Sequence, residues 1–436
     1  MGLEPMFNRC STDLAAILPK TVRSCLLDAP PLLYNWDEKL RGLIVGICLS
    51  RSLVLQSIAQ TRSGNVKTTE NVLSEFLAQE RLRLEKSERA FVISTLKRLK
   101  RRRFWRHGQK FVLIIDSTAY PKPRSRRKLR PMPGKGKVRL HNLPSKETLL
   151  VPGYQEIWTG LLMSDRTVLP LTRRLWTERG PDSASLNIVE EAEMCKARGI
   201  IQETFKSDVI LVADSGFRRK DLLRWLKRAK RMDFVIRLDG NMTVRAGSKG
   251  LLENLALWWP KRLLMQWRDN SKKSLLYRVS ARQISVDDSS GQSFSFNALC
   301  LTPEKEGMDP MFLATTLTTA LSADLLVITR LYSWRWGIET FFDRFKNGLR
   351  GGSWRVFSCW EAIDNLLAAA HMAYLALVLL AEFVTCGKTA SLRMLMRRIQ
   401  ATLRSRFARP PEFTLGRFLQ ILAMDFPSPR LAGAIL

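Results

Sequence analysis

Three carboxylates in this chain sit where they could do chemistry together. The stretch "FVLIIDST" delivers Asp116 after an apolar run, and "VILVADSGF" repeats the pattern with Asp214. The third, Glu339, lies in "YSWRWGIETFFDRFKNGLR", among cations and aromatic rings. Continuous apolar runs read as strands buried on both faces, and open sheets bind ligands beyond strand ends. Three converging carboxylates can hold two divalent ions roughly 3.5 to 4 Å apart. One ion lowers the pKa of an attacking water or hydroxyl, and the other stabilises the leaving oxygen. A plainer use exists for each Asp, since a strand-ending Asp often serves a turn or cap.

The rest of the composition narrows the metal. The only histidines are His107, His141 and His371, so a divalent ion would need oxygen ligands, which points to Mg²⁺ or Mn²⁺. Seven cysteines (Cys10, Cys25, Cys48, Cys195, Cys300, Cys359 and Cys386) are scattered with no C-x-x-C pair. That pattern suits a reducing cytosol and argues against a disulfide framework or a zinc site.

Around Glu339 the helical phase is informative. At about 100° per residue, Tyr332, Arg335 and Lys346 fall within roughly 40° of Glu339, so one stripe would carry a hydroxyl, two cations and the carboxylate. Arg335 beside Glu339 could clamp a phosphate bidentately, and Tyr332 could add a hydrogen bond. Arg335 and Glu339 are also four apart, the spacing of an ordinary helix-stabilising pair.

These residues must be positioned by strands and helices. Residues 1–105 read as helical, with helices in "DEKLRGLIVGICLSRSLVLQSIAQ", "TTENVLSEFLAQERLRL" (Thr-capped) and "SERAFVISTLKRLKRRRFWR". They suit either a helix-turn-helix-like DNA reader or a helical bundle. After the Asp116 strand, "QEIWTGLLMS" and "TVLPLTRRLW" read as a hairpin, followed by a helix over 185–198. The Asp214 strand, "RRKDLLRWLKRAKRM" and "DFVIRLD" complete a strand–helix–strand unit. Residues 240–310 read as a β-rich insertion, "MFLATTL" as a last strand, and 361–436 as helical. The apolar stretch over 366–384 contains His371 and Glu382, and reads as a buried helix rather than a membrane span.

Charge points to a partner. The 436 residues hold 71 Lys and Arg against 40 Asp and Glu, a formal charge of +31. Positive charge spread along the whole length calls for a polyanion, and nucleic acid is the usual one. The densest run, "KPRSRRKLRPMPGKGKVRLHN", follows Asp116 and holds nine cations over 122–139 with no acid, including Arg124, Arg126, Arg127, Lys128 and Arg130. Punctuated by Pro and Gly, it reads as a flexible arm along a phosphate backbone, or else as a solvated charge run.

Three strands with Asp on the first, a helix, a strand with a second Asp and a helix bearing Glu is the order of an RNase H-like nucleotidyl-transfer core of the α/β class. Tyr332, Arg335, Glu339 and Lys346 also reproduce the spacing Y-(2)-R-(3)-E-(6)-K. In this the chain resembles the DDE transposases of bacterial insertion sequences, insertion-sequence-four group. The likeness covers about residues 110 to 355, and the flanks share only helical and basic character. It implies a catalytic, metal-holding triad of Asp116, Asp214 and Glu339 with two Mg²⁺ or Mn²⁺ ions. It also implies DNA-phosphate contacts from Tyr332, Arg335 and Lys346. The implied activity is cut-and-paste: a homodimer on DNA binds terminal inverted repeats, cleaves both strands through a hairpin and joins the ends to target DNA. A cytoplasmic, nucleoid-associated protein is implied, with no membrane partner.

The same likeness suggests a base flipped onto an aromatic ring. In "LWWPKR" of the insertion, Trp258 and Trp259 are adjacent; on a strand one would anchor the core and the other would be free. The implied domains are a DNA-binding helical region (1–105), a catalytic core in two parts (106–239 and 311–360) around the insertion (240–310), and a helical C-terminal region (361–436). Two other readings stay open: a catalytically silent, transposase-derived DNA-binding protein, and another RNase H-like endonuclease.

Overall fold

The structure is a computed structural model that describes residues 16–32, 36–79, 81–101, 110–121, 136–140, 149–163, 167–177, 185–230, 232–268, 274–305, 307–349 and 359–386. The cationic run from Arg124 to Arg130 lies outside the described residues.

The N-terminal region is helical: α1 (16–26), α2 (Trp36–Ser50), α3 (Leu55–Ala59), α4 (Val66–Leu77) and α5 (Glu85–Lys100). The helix expected over 37–60 is broken in two, because Arg51 takes a left-handed backbone (φ 49°) that no α-helix continues through. Helix α4 starts earlier than its threonines suggest. Asn65 caps it, its Oδ1 accepting from the Lys67 and Thr68 amides at 2.9 and 3.1 Å.

The core sheet is built from β1 (Phe111–Pro121), β2 (Gly136–Leu140), β3 (Leu149–Leu162) and β4 (Val168–Trp176), then β5 (Val209–Ala213) and β6 (Asp233–Leu238). Antiparallel pairing joins β1 to β3 and β3 to β4, while β1, β5 and β6 run parallel. The resulting order β4-β3-β1-β5-β6 is RNase H-like, with the short β2 beside the start of β3. Strand β1 does not end at Asp116. It runs five residues further because β3 supplies partners as far as Pro121.

Helix α6 (Leu186–Phe205) connects β4 to β5, and α7 (Lys220–Arg224) with its π turn (Trp225–Ala229) connects β5 to β6. The two faces of the sheet are covered differently. Neighbours on a strand point to opposite faces. Accordingly Thr172 on β4 hydrogen-bonds the Glu193 carbonyl of α6, while Arg173 reaches Glu88 on α5.

The insertion comprises β7 (Thr243–Ala246), β8 (Ser248–Leu251), α8 (Leu252–Ala256), β9 (Lys261–Arg268), β10 (Ser274–Asp287) and β11 (Ser293–Pro303). It is followed by β12 (Met311–Thr315). Because β12 pairs with β6 and β11 with β12, the insertion extends the core sheet, and one twelve-stranded sheet results.

Then come α9 (Ser322–Ser333), α10 (Trp336–Asp343) with a π turn (Arg344–Gly348), and α11 (Trp360–Cys386). Helix α11 is long and apolar enough to cross a membrane, but 83% of its apolar window is buried inside the fold. It packs on α2, α4 and α5, and Asn365 donates to the Leu77 carbonyl at 3.0 Å. Helix α11 thus joins the N-terminal helices in one layer against the core sheet.

Candidate active site

The segment from Tyr332 to Lys346 is not one straight helix, as its periodicity suggests. It breaks at Trp334–Arg335, where amides bond three residues back rather than four: Arg335 to the Tyr332 carbonyl, Gly337 to Trp334 and Ile338 to Arg335, each at 3.0 Å. Tyr332 lies in the last turn of α9, Arg335 occupies the tightened turn, Glu339 lies on α10 and Lys346 on the π turn. Tyr332, Arg335 and Glu339 still meet despite the break, while Lys346 reaches β1 instead.

What the break achieves is a clasp. Arg335 Nη1 donates to Asp116 Oδ2 at 3.0 Å, and Nη2 donates to Glu339 Oε1 at 2.8 Å. The Arg335 and Asp116 side chains are 10% and 15% exposed, against 40% for Glu339, so one end of the clasp is dry and the other wet. A dry, charge-assisted pair is strongly coupled; a wet one contributes little.

Asp214 directly follows β5, which is parallel to β1. Its Oδ1 accepts from the Gly216 amide at 2.8 Å, and a Cβ at Gly216 would sit 3.0 Å from that oxygen, which explains the glycine of "ADSG". Burial, then the negative charge of Asp214, pushes Asp116 up to about 7, while Arg335 pulls it down. Burial alone would lower the Arg335 guanidinium; Tyr332, Asp116, Glu339 and Asp214 hold it above its usual range. Tyr332 is buried and raised by that burial, with Arg335 and Arg237 opposing.

Among the described residues no three His, Cys, Asp or Glu side chains form a ready metal-holding group. The residues nevertheless suit a hard cation. Asp116, Asp214 and Glu339 offer oxygen donors alone, and the mutual repulsion that raises Asp116 is what a dication would relieve. Arg335 supplies the positive charge as the structure stands.

Residues 189–376 match the family model of the transposase DDE domain. That stretch is a DDE transposase domain. Its match includes Asp214 and Glu339 but starts downstream of Asp116, which β1 and β5 bring alongside through their pairing. No curated protein matches the chain. DDE domains in general use divalent metals, which agrees with the oxygen-only donor set here.

Lys346 is placed away from Glu339. Its Nζ donates to the Ala119 carbonyl at 3.2 Å and lies 5.3 Å from the centre of the Tyr120 ring. In the insertion, Trp258 is 84% exposed and Trp259 is 3% exposed. They sit in the turn after α8 rather than on a strand, so strand alternation is not the cause; Trp259 simply turns inward as α8 ends.

Several groups around Asp116, Asp214 and Glu339 escaped the sequence reading. Glu190 on α6 is raised to about 7 by burial, opposed by Arg219 at 2.7 Å and reinforced by Glu191 and Asp214. Exposed Trp336 stacks near the Arg335 guanidinium, at 5.4 Å. Behind the site lies a buried ionic cluster. Arg173 bonds Glu88 (2.9 Å), Glu156 (3.2 Å) and Asp364 (2.9 Å), and His371 bonds Glu88 (2.7 Å). This cluster ties α5, β3, β4 and α11 together. The sequence signal was a polar group on each of three apolar elements: Glu156 in "QEIWTGLL", Arg173 in "VLPLTRRLW" and His371 in the Ala-rich helix.

Proposed function

We propose that this protein is the transposase of a bacterial insertion sequence of the insertion-sequence-four group, acting on the chromosome in the cytoplasm. It binds the terminal inverted repeats of its element as a homodimer on DNA, cleaves both strands through a hairpin and joins the freed ends to target DNA. One observation carries this reading: Arg335, inside the stretch that matches the DDE domain, clasps Asp116 and Glu339 beside Asp214.

Two Mg²⁺ or Mn²⁺ ions held by Asp116, Asp214 and Glu339 would activate the attacking water or 3′-hydroxyl and offset charge on the leaving oxygen. Arg335 does the positioning. Its planar fork suits phosphate as well as carboxylate, so an incoming backbone phosphate takes over donors that Glu339 holds at the wet end. Tyr332, buried against Arg335, limits where the fork can turn. Lys346 meets a neighbouring phosphate, and the cations from Arg124 to Arg130 lie along the flanking duplex. Exposed Trp258 receives the flipped base, which stacking holds at about 1–3 kcal/mol per base.

The deciding experiment incubates the purified protein with Mg²⁺, a labelled end duplex and a target plasmid. Nicks, hairpins and then joined products are expected. Cutting without joining would favour an RNase H-like endonuclease, and binding without cutting a silent DNA-binding relative.

A further inference from the structure

Lys346 is held by the strand that also carries Asp116. Its two partners, the Ala119 carbonyl and the Tyr120 ring, are the last residues of β1 but one. A Lys ammonium within about 6 Å of a ring centre is attracted to the face of that ring. The ring itself cannot turn away. Tyr120 is 2% exposed, and its hydroxyl donates to Glu156 Oε2 at 2.7 Å. The same oxygen accepts from Trp158 Nε1 at 2.9 Å, and Arg173 Nη1 bonds Oε1 at 3.2 Å. Glu156 is fully buried, so its oxygens are fixed by protein donors.

Register makes this a single unit. Alternate residues share a face, so Asp116, Thr118 and Tyr120 line one side of β1, opposite Trp158, Glu156 and Tyr154 on β3. Above them, Trp158 meets Phe341 of α10 and Phe345, the residue before Lys346 in the π turn. Lys346 lies in that π turn, and from there it reaches the Tyr120 ring. Burial pushes the Lys346 ammonium below the usual lysine range, and the Glu156 charge opposes this.

We propose that Tyr120 is a positioning residue for Lys346: its ring, locked by Glu156, is the platform that sets where the ammonium meets DNA. The inference rests on the proposed role of Lys346 as a phosphate contact.

The test measures end-duplex binding against salt for the full chain. Lys346→Ala should lower the salt slope by about one, as one phosphate contact is lost. Tyr120→Leu should lower it by the same amount, the Tyr120→Leu/Lys346→Ala double variant by no more, and Tyr120→Phe, which keeps the ring but loses its bond to Glu156, should fall between wild type and Tyr120→Leu. A slope unchanged by Lys346→Ala would remove the phosphate contact and this inference with it. A normal single Lys346→Ala loss, with Tyr120→Leu silent or additive to it, would overturn the platform alone. Folding failure in Tyr120→Leu does not block the test, because ¹³Cε-lysine NMR of the wild type reads the contact directly. The resonance missing in Lys346→Arg should be ring-shifted upfield; an unshifted one would also overturn the platform.

Discussion

Asp116 and Arg335 are 219 residues apart in the chain, yet a 3.0 Å hydrogen bond joins Oδ2 to Nη1 in a nearly dry pocket. The same guanidinium holds Glu339, so one side chain sets the separation of two of the three acidic groups. Lysine could not do this, since it has no planar fork.

Asp116→Asn, Asp214→Asn and Glu339→Gln each keep shape while removing a negative oxygen. Cleavage should fall by more than about 100-fold in each, beyond what an outer-shell change costs, with end binding retained. Chelator should abolish wild-type cleavage, and Mg²⁺ or Mn²⁺ should restore it. Gel-resolved cleavage beside gel-shift binding checks this, and normal cutting by any one variant would remove that residue from the triad.

Arg335→Lys should fail to rescue Arg335→Ala. Both variants lose the clasp, and in Arg335→Ala the pull that lowers Asp116 disappears, so its carboxyl should titrate higher than about 7. The pH profile of cleavage should shift upward on its acid side. A Lys variant with the wild-type rate would show that charge alone suffices.

Stability should depend on pH through Asp116. Its folded value of about 7 stands above the ordinary 3.8, so between these values the folded metal-free chain holds a proton that the unfolded chain has released. Stability from this group is complete below about pH 4 and is lost as pH rises through 7. The loss is on the order of 4 kcal/mol at most. Asp116→Asn escapes it, so the variant's melting temperature should overtake the wild type's between pH 5 and pH 8. Mg²⁺ should narrow the gap, because a bound cation displaces the proton. A gap independent of pH would contradict the titration.

The two insertion tryptophans should separate cleanly. Trp258→Ala should leave the melting temperature unchanged and slow hairpin formation, read by gel and by 2-aminopurine fluorescence at the terminal bases. Trp259→Ala should cost about 3–5 kcal/mol of stability, as buried aromatic truncations do. Hairpins at the normal rate in Trp258→Ala would move the stacking role elsewhere.

Much of this was legible in the sequence. The runs before Asp116 and Asp214 announce buried parallel strands because neither face tolerates a charge, and the order of elements leads to the RNase H-like sheet. The break at Trp334–Arg335 was not legible, because a tightened turn leaves the apolar spacing almost unchanged while it rotates everything beyond it. Nor was the destination of Lys346, which depends on a π turn. The Glu156–Arg173 cluster was hidden because each charge looks exposed on its own strand; only the register between β3 and β4 makes them neighbours.

The joining of β12 to β6 has a mechanical meaning. Asp214 at the end of β5 and the insertion strands belong to one hydrogen-bonded lattice, with four strand steps from β5 through β6, β12 and β11 to β10. At about 20–25° of twist per step, the far strands are turned by roughly a quarter circle relative to β5. The backbone ladder itself therefore sets the distance and angle between the insertion strands and Asp214.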